Sequence, residues 1–234
     1  MDFEEWIGRF KAKQDYAGEQ ERARDTINHL FIDVNEYMYS FVDELDNRKA
    51  IMDFTLKTYR SLLSALRRAG YTFRTFEEFL SVPADGKVVI LRHDIDKRPE
   101  NALRLAQIEH ASGVKASYYI RVVKGTWNEE IIEQIVALGH EMSYHYEDLT
   151  ITKGNYEKAF EHFKVHLAEI RRFYPAKTVC MHGSPLSRWD NRKLWEKYNY
   201  REAGIIGEPY FDVDYTKVLY ITDTGRHGIR QVRV

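Results

Sequence analysis

The chain has very little cysteine and almost no net charge. Cys180 is the single cysteine among 234 residues, which excludes an intramolecular disulfide and a cysteine-rich zinc cluster. A metal would therefore have to be bound by histidine and carboxylate side chains. Lysine and arginine number 35 against 36 aspartates and glutamates, so no excess charge favours nucleic acid or an anionic membrane. We expect no nucleic-acid partner and a reducing compartment.

Long apolar runs are also absent. No stretch reaches the roughly 18 apolar residues that a membrane-spanning helix needs. Residues 1–25 contain no apolar core of the kind found in signal peptides. These absences predict a cytoplasmic protein with no membrane partner.

Residues 1–51 show no strand signal, and their apolar residues recur every three or four positions. This spacing predicts a long amphipathic helix, an N-terminal helical extension of the domain that follows. Its apolar stripe must be covered either by the chain's own domain or by a second copy of the chain in a homodimer, and the sequence leaves both open. The stripe consists of Ile27, Leu30, Val34, Tyr37, Phe41 and Leu45.

Over residues 52–234, β-rich runs alternate with helical patterns. Alternation at this spacing is typical of parallel strands joined by crossover helices, so we predict one α/β domain there. One helix is expected to end at Gly70, and another has Pro99 in its first turn. The predicted strands are 87–93, 116–122, 141–146, 178–181, about 203–206 and 218–222, and the further helices are 128–138, 155–173 and 190–198.

Polar residues are concentrated where four of these strands end. In parallel α/β proteins the carboxyl ends of the strands, with the loops that follow them, line the active site. We therefore expect the functional residues in four segments: Arg-His-Asp-Ile-Asp at 92–96, Tyr-His-Tyr-Glu-Asp at 144–148, Met-His-Gly-Ser-Pro at 181–185 and Thr-Asp-Thr-Gly-Arg-His at 222–227.

Asp94 and Asp96 stand two positions apart at the end of an apolar strand, and extended geometry points such residues to the same side. Two carboxylates so close repel each other unless a cation lies nearby or one of them holds a proton. In a purely structural interpretation, one aspartate caps the helix near Pro99 and the other pairs with Lys97 or Arg98. That interpretation accounts better for one carboxylate than for two.

Three histidines near the strand ends have different expected roles. His145 ends a strand and Glu147 follows two residues later, which makes a zinc-type ligand pair, although His145 alone could be a hydrogen-bonded structural residue. His140 precedes its strand, so we predict a structural role for it. His182 lies in a His-Gly-Ser turn, where it could bind metal, donate to an oxyanion or be structural.

Two of these segments resemble motifs of the NodB-type polysaccharide deacetylases of carbohydrate esterase family 4. The run Leu-Arg-His-Asp-Ile-Asp at 91–96 is similar to the family's first motif, and Gly-His-Glu-Met-Ser-Tyr-His at 139–145 is similar to its G-H-E-x-x-x-H stretch. The resemblance covers about 52–223 and implies a deformed (β/α) barrel. It also implies a metal-dependent hydrolase that removes an N- or O-acetyl group from a sugar or polysaccharide precursor. Asp94 would then be the general base, and Asp96 and His145 would bind a divalent metal, expected to be Zn²⁺.

The sequence departs from the family's pattern at the second metal-binding histidine, which would stand four residues after the first and is Leu149 here. The third ligand must therefore come from Glu147, Asp148, His182 or water, and Glu147 is the assignment we make.

The chain also ends at Val234, soon after the last predicted strand. This leaves little room for the last strand of the family and its catalytic-acid histidine, so the barrel is expected to be incomplete at the C-terminus. We assign the catalytic acid to His182, with His227 as an alternative. Four further residues at the strand ends are expected to bind the carbohydrate: Arg92, His93, Ser184 and Asp223.

Two other functions use the same residues. A D-x-D pair after an apolar strand also holds a divalent cation and diphosphate in nucleotide-sugar transferases, although that reading leaves His145 and Glu147 without a role. A catalytically impaired, deacetylase-like domain that binds sugar or a partner chain is the third candidate, favoured by the missing second histidine.

Overall fold

The computed structural model describes residues 29–34, 55–83, 85–184 and 187–222. Within them, seven strands form one sheet in which every pair is parallel. The strands are β1 (His29–Val34), β2 (Thr72–Arg74), β3 (Val88–Ile95), β4 (Ser117–Ile120), β5 (Glu141–Tyr146), β6 (Val179–Met181) and β7 (Val218–Thr222). The helices are α1 (Leu56–Arg68), α2 (Phe76–Ser81), α3 (Pro99–Ala111), α4 (Glu129–Ala137), α5 (Asp148–Ile151), α6 (Tyr156–Ile170), α7 (Leu194–Lys197) and α8 (Pro209–Asp212), with 3₁₀ turns at Asn191–Lys193 and Tyr200–Ala203.

The strand order is β6-β5-β4-β3-β1-β7, and β2 also pairs with β3. On one side of β3 lies β1, while β2 covers the first half of its other side and β4 covers the second half. The predicted α/β fold with a parallel, barrel-type sheet is confirmed. The barrel stays open, because β6 and β7 do not pair with each other among the described strands.

Local sequence signals set the helix starts. Thr55, Asn128 and Asn155 accept hydrogen bonds from backbone N–H groups in the first turns of α1, α4 and α6, which supplies partners that a helix start otherwise lacks. Pro99 opens α3, where a missing N–H costs nothing. These helices pack their apolar faces on the sheet and hold the strand ends in place.

The prediction of a helix through residues 27–45 is wrong for His29–Val34. These residues form β1, a strand that pairs with β3 on one edge and β7 on the other. Leu30, Phe31 and Ile32 are all buried, because β1 has strands on both edges and side chains packed on both faces. A strand buried on both faces shows a continuous apolar run and not an alternation. The rest of the predicted helix, and any homodimer built on it, lies outside the described residues.

The strand predicted near 203–206 is also wrong. Residues Tyr200–Ala203 form a 3₁₀ turn, which Gly204 ends with a φ of 74°. Only an isolated bridge joins Thr178 to Gly207 at this place. The helix predicted over 190–198 is divided into a 3₁₀ turn and the single-turn α7, and β2 was not predicted. No described helix is both long and apolar enough to cross a membrane.

Candidate active site

The strand ends that the sequence singled out meet at one edge of the sheet. β3 carries Asp94 and leads to Asp96, and β5 carries His145 and leads to Glu147. His182 follows β6, whose residue Cys180 pairs in register with His145. Because parallel neighbours end at the same edge, these side chains converge although nearly ninety residues of chain separate the first from the last.

Asp96, His145 and His182 form a compact group that could hold a metal ion. Asp96 Oδ1 lies 3.5 Å from His145 Nε2 and 2.9 Å from His182 Nδ1. Nitrogen and oxygen ligands about 2.0–2.1 Å from a tetrahedral zinc ion would lie roughly 3.4 Å apart. The observed spacing and the donor types therefore fit a zinc-type cation.

The tautomer of His145 suits a metal ligand. Its Nδ1 lies 3.0 Å from the carbonyl oxygen of Cys180, which can only accept, so Nδ1 carries the hydrogen and Nε2 presents its lone pair to the carboxylates. Burial lowers the pKa of His145 to about 3, although the neighbouring Asp96 opposes this shift. The imidazole is thus neutral at physiological pH, which is the form that binds metal.

The pKa values of Asp96 and Asp94 are shifted in opposite directions. Burial alone would raise the pKa of Asp96, but the contact with His182 and the charge of nearby groups such as Arg121 bring that pKa below its ordinary value. Asp96 is therefore ionised and suited to bind a cation. For Asp94, burial raises the pKa above the ordinary value even though the charge of Arg92 acts against it.

Asp94 is held by a buried chain of charged groups. Arg92 Nη2 donates to Asp94 Oδ2 at 3.1 Å and also to Asp33 on β1, whose carboxylate accepts a second hydrogen bond from Tyr220 on β7. The other oxygen of Asp94, Oδ1, is buried and has no hydrogen-bond partner in the described structure. Asp94 Oδ2 lies 3.9 Å from His145 Nε2, so the carboxylate borders the metal group without belonging to it.

Glu147 does not take the position predicted for the third metal ligand. Its Oε1 accepts from Arg121 Nε at 2.7 Å, and its Oε2 remains 3.9 Å from His182 Nε2. The guanidinium of Arg121 engages the Glu147 carboxylate, whereas His182 lies within the metal group with Asp96 and His145. This geometry favours His182 over Glu147 as the third ligand, and the roles of both residues stay predictions.

Cys180 could complete a different group with Asp94 and His145. Burial raises the pKa of its thiol far above the ordinary value, in spite of the nearby Arg92. All three residues of this group are buried, whereas Asp96 and His182 are partly exposed. The group around Asp96 is therefore easier for an ion to reach.

Two predicted substrate contacts lie inside the protein. His93 is completely buried and points away from Asp94, with Nε2 at 2.7 Å from Glu109 Oε1. Neighbouring residues of a strand face opposite sides, so His93 belongs to the helix-covered layer and cannot meet substrate there. Arg92 is 3% exposed and bound to Asp33 and Asp94, so it holds the Asp94 carboxylate and is closed to substrate.

The remaining histidine and loop predictions have mixed outcomes. His140 accepts from the backbone N–H of Ala116 through Nδ1, while its Nε2 lies 3.0 Å from the Ala106 carbonyl, which is the expected structural role. Ser184 is half-buried next to His182 and Gly183, so its place agrees with a contact to substrate, which stays a prediction. Asp223 and His227 lie outside the described residues.

Three residues of the site were not foreseen. Asp33 anchors Arg92, Arg121 holds Glu147, and Asn191 donates to the backbone carbonyl of His182 at 3.1 Å. Asp33 ends an apolar run, so a strand reading of residues 29–34 would have found it. Arg121 directly follows β4 and Asn191 begins a 3₁₀ turn, and no local sequence pattern shows which partner either side chain reaches.

No protein-family description matches the chain, and neither does any curated protein sequence. Solved structures do resemble it. The deacetylase domain of BpsB from Bordetella bronchiseptica is 12% identical, with a TM-score of 0.50 over 79% of this chain and 88% of that one. This likeness shows that the chain has the fold of a polysaccharide-deacetylase domain.

Two further structures have lower scores. BA0330 of Bacillus anthracis, a proposed polysaccharide deacetylase, is 16% identical with a TM-score of 0.46, over 65% of this chain and 49% of that one. The polysaccharide deacetylase BC0361 of Bacillus cereus is 16% identical with a TM-score of 0.42, over 67% and 52% of the two chains.

Proposed function

We propose that the chain is a divalent-metal-dependent hydrolase that removes an acetyl group from a sugar or polysaccharide. The observation that carries this proposal is the group Asp96, His145 and His182 beside Asp94, whose Oδ1 is buried without a partner. The group lies at the carboxyl end of a deacetylase-type sheet, where α/β enzymes place their active sites. Zn²⁺ is the best fit to two imidazoles and one carboxylate.

The metal would be held by Asp96, His145 and His182. When bound, Zn²⁺ would polarise the acetyl carbonyl and lower the pKa of a water molecule. Asp94 is the general base: its carboxylate borders the metal group and accepts the proton of the attacking water, while Arg92 holds it through Oδ2. The raised pKa of Asp94 favours this transfer, because a carboxylate of ordinary pKa is a weaker base. The same carboxyl group then returns the proton to the leaving amine or alcohol.

Glu147 and Arg121 lie next to His182 and are proposed to meet the polar hydroxyl groups of a sugar. Arg121 uses Nε and Nη2 on Glu147, and the pair is partly exposed on the arginine side. Their ion pair fixes both side chains in one orientation, so a sugar meets a prearranged donor and acceptor surface. Ser184, two residues after His182, is a further proposed substrate contact.

An acetate-release assay tests the function. The purified chain is stripped with a chelator, reloaded with Zn²⁺, and given N-acetylglucosamine oligomers and an O-acetylated xylan. We expect acetate release only from the zinc-loaded protein. Zinc-loaded protein that releases no acetate from either class, but is stabilised against heat by a nucleotide sugar, would be a transferase. Saccharide binding without acetate release would indicate a non-catalytic binding domain.

A further inference from the structure

A second cluster of metal-binding side chains lies away from the candidate active site. His162 and His166 stand one turn apart on the same face of α6, and Asp148 begins α5. Asp148 Oδ1 lies 2.6 Å from His162 Nδ1 and 4.0 Å from His166 Nδ1, and the two imidazole ring centres are 4.0 Å apart. Two histidines four positions apart on a helix can bind one metal ion together.

One carboxylate oxygen of Asp148 has no hydrogen-bond partner in the described structure. This oxygen is Oδ2, and the Asp148 side chain is fully buried. Oδ1 is already used, since it also accepts from the Tyr144 hydroxyl at 3.0 Å. A buried carboxylate oxygen without a partner is unfavourable, because it has lost its hydrogen bonds to water and no protein group replaces them.

The cluster also opens to solvent. The side chains of His162 and His166 are 33% and 16% exposed, so the imidazoles of the cluster can be reached from solvent. Tyr144 keeps His166 in place, with its hydroxyl 2.8 Å from His166 Nδ1. One carboxylate and two imidazoles are the ligand types of a zinc site.

We propose that Asp148, His162 and His166 form a second divalent-metal site, which takes Zn²⁺ or a similar transition-metal dication. The three ligand atoms lie within 4.8 Å of one another, so one ion can reach all three. The site is separate from the first one, because Tyr144 and His145 are consecutive in β5 and face opposite sides of the sheet. The ion would link α5 to α6, and its ligand Asp148 directly follows Glu147 in the chain.

Zinc stoichiometry tests this site. Wild type and variants are dialysed against micromolar Zn²⁺ and analysed for metal per chain. We expect two zinc ions in wild type and one in H162Q/H166Q. The control H110Q removes an exposed helical histidine elsewhere and should keep two. A variant of the first site, D96N/H182Q, should keep the second ion.

The outcomes separate the two sites. A folded H162Q/H166Q that binds as much zinc as H110Q overturns the second site, and the cluster is then a hydrogen-bond network only. One zinc ion in wild type and none in H162Q/H166Q supports the second site and contradicts the first. If the double variant does not fold by circular dichroism, H162Q and H166Q are measured singly. Each should weaken the second zinc at least about 10-fold, and unchanged affinity in both refutes the proposal.

Discussion

Asp94 and Asp96 differ in their surroundings although only Ile95 separates them. Asp96 lies against His145 and His182 and its pKa is lowered, whereas Asp94 is buried beside Arg92 with one oxygen unpartnered. Two carboxylates whose surroundings push their pKa values apart are typical of a ligand or nucleophile next to a base. The same distinction decides between His182 and Glu147, because only His182 contacts Asp96.

Substitutions at His182 and Glu147 separate these assignments. In the H162Q/H166Q background we expect H182Q to weaken zinc binding by about 100-fold or more, because it removes a ligand. E147Q should weaken it by about 10-fold at most, since Glu147 is held by Arg121 and acts only on the surroundings of the metal. Competition with a chromophoric chelator measures both affinities. A larger loss in E147Q than in H182Q would restore Glu147 as the ligand.

The site residues that can be predicted from the sequence are those that stand in short sequence motifs. Asp94, Asp96 and His145 are found from strand-end patterns and from the resemblance to the deacetylases. His182 as a ligand was not decidable, because its position depends on the pairing of β5 with β6, in which His145 lies opposite Cys180. A register between strands 35 residues apart leaves no local pattern in the sequence.

At the scale of secondary structure, β1 shows why helix and strand can be confused. Leu30 and Val34 fit a helical spacing, but Phe31 and Ile32 between them are apolar as well. A short apolar run of this kind is ambiguous by periodicity alone. Apart from the single-turn α5, the strands and helices of 87–181 agree closely with the prediction, because caps, glycines and Pro99 mark their ends.

Phe31 distinguishes the two interpretations of this segment, since it lies outside the predicted helical stripe. In β1 it is completely buried against Phe76, and Arg92 lies over its ring. We expect F31A to lower the free energy of unfolding by about 3–5 kcal/mol, as removal of a buried phenylalanine does. F211A is the control, because Phe211 is 50% exposed and its loss should cost less than about 1 kcal/mol. Equal effects in urea unfolding would contradict the buried strand.

For the whole molecule, the open sheet encloses many ionisable groups that burial keeps away from water. Glu208 is completely buried, and burial raises its pKa to about 8, although it accepts backbone hydrogen bonds from Met181 and Tyr210. In the unfolded chain a glutamate has a pKa of about 4.5. At pH values between about 4.5 and about 8, Glu208 therefore keeps its proton in the folded state and has lost it in the unfolded state.

The sign of the pH effect follows from that proton. Stability falls as pH rises from about 4.5 to about 8, because the unfolded state binds fewer protons than the folded one. At 1.36 kcal/mol per pKa unit the loss has an upper bound of roughly 5 kcal/mol. We expect E208Q to lack this loss, so that its stability in urea unfolding declines less than that of wild type between acidic and alkaline pH. A parallel decline in both proteins would mean that Glu208 is ionised in the fold.

The central claim is that Asp94 is the base of a metal-dependent deacetylase, and D94N tests it most directly. The measurement is acetate release by D94N, by wild type and by the control D214N, which alters an aspartate far along the chain from the site, all with zinc content determined on the same samples. We expect D94N to bind zinc like wild type and to lose at least about 100-fold in kcat, the contribution of a general base. Full activity of zinc-loaded D94N would contradict the account.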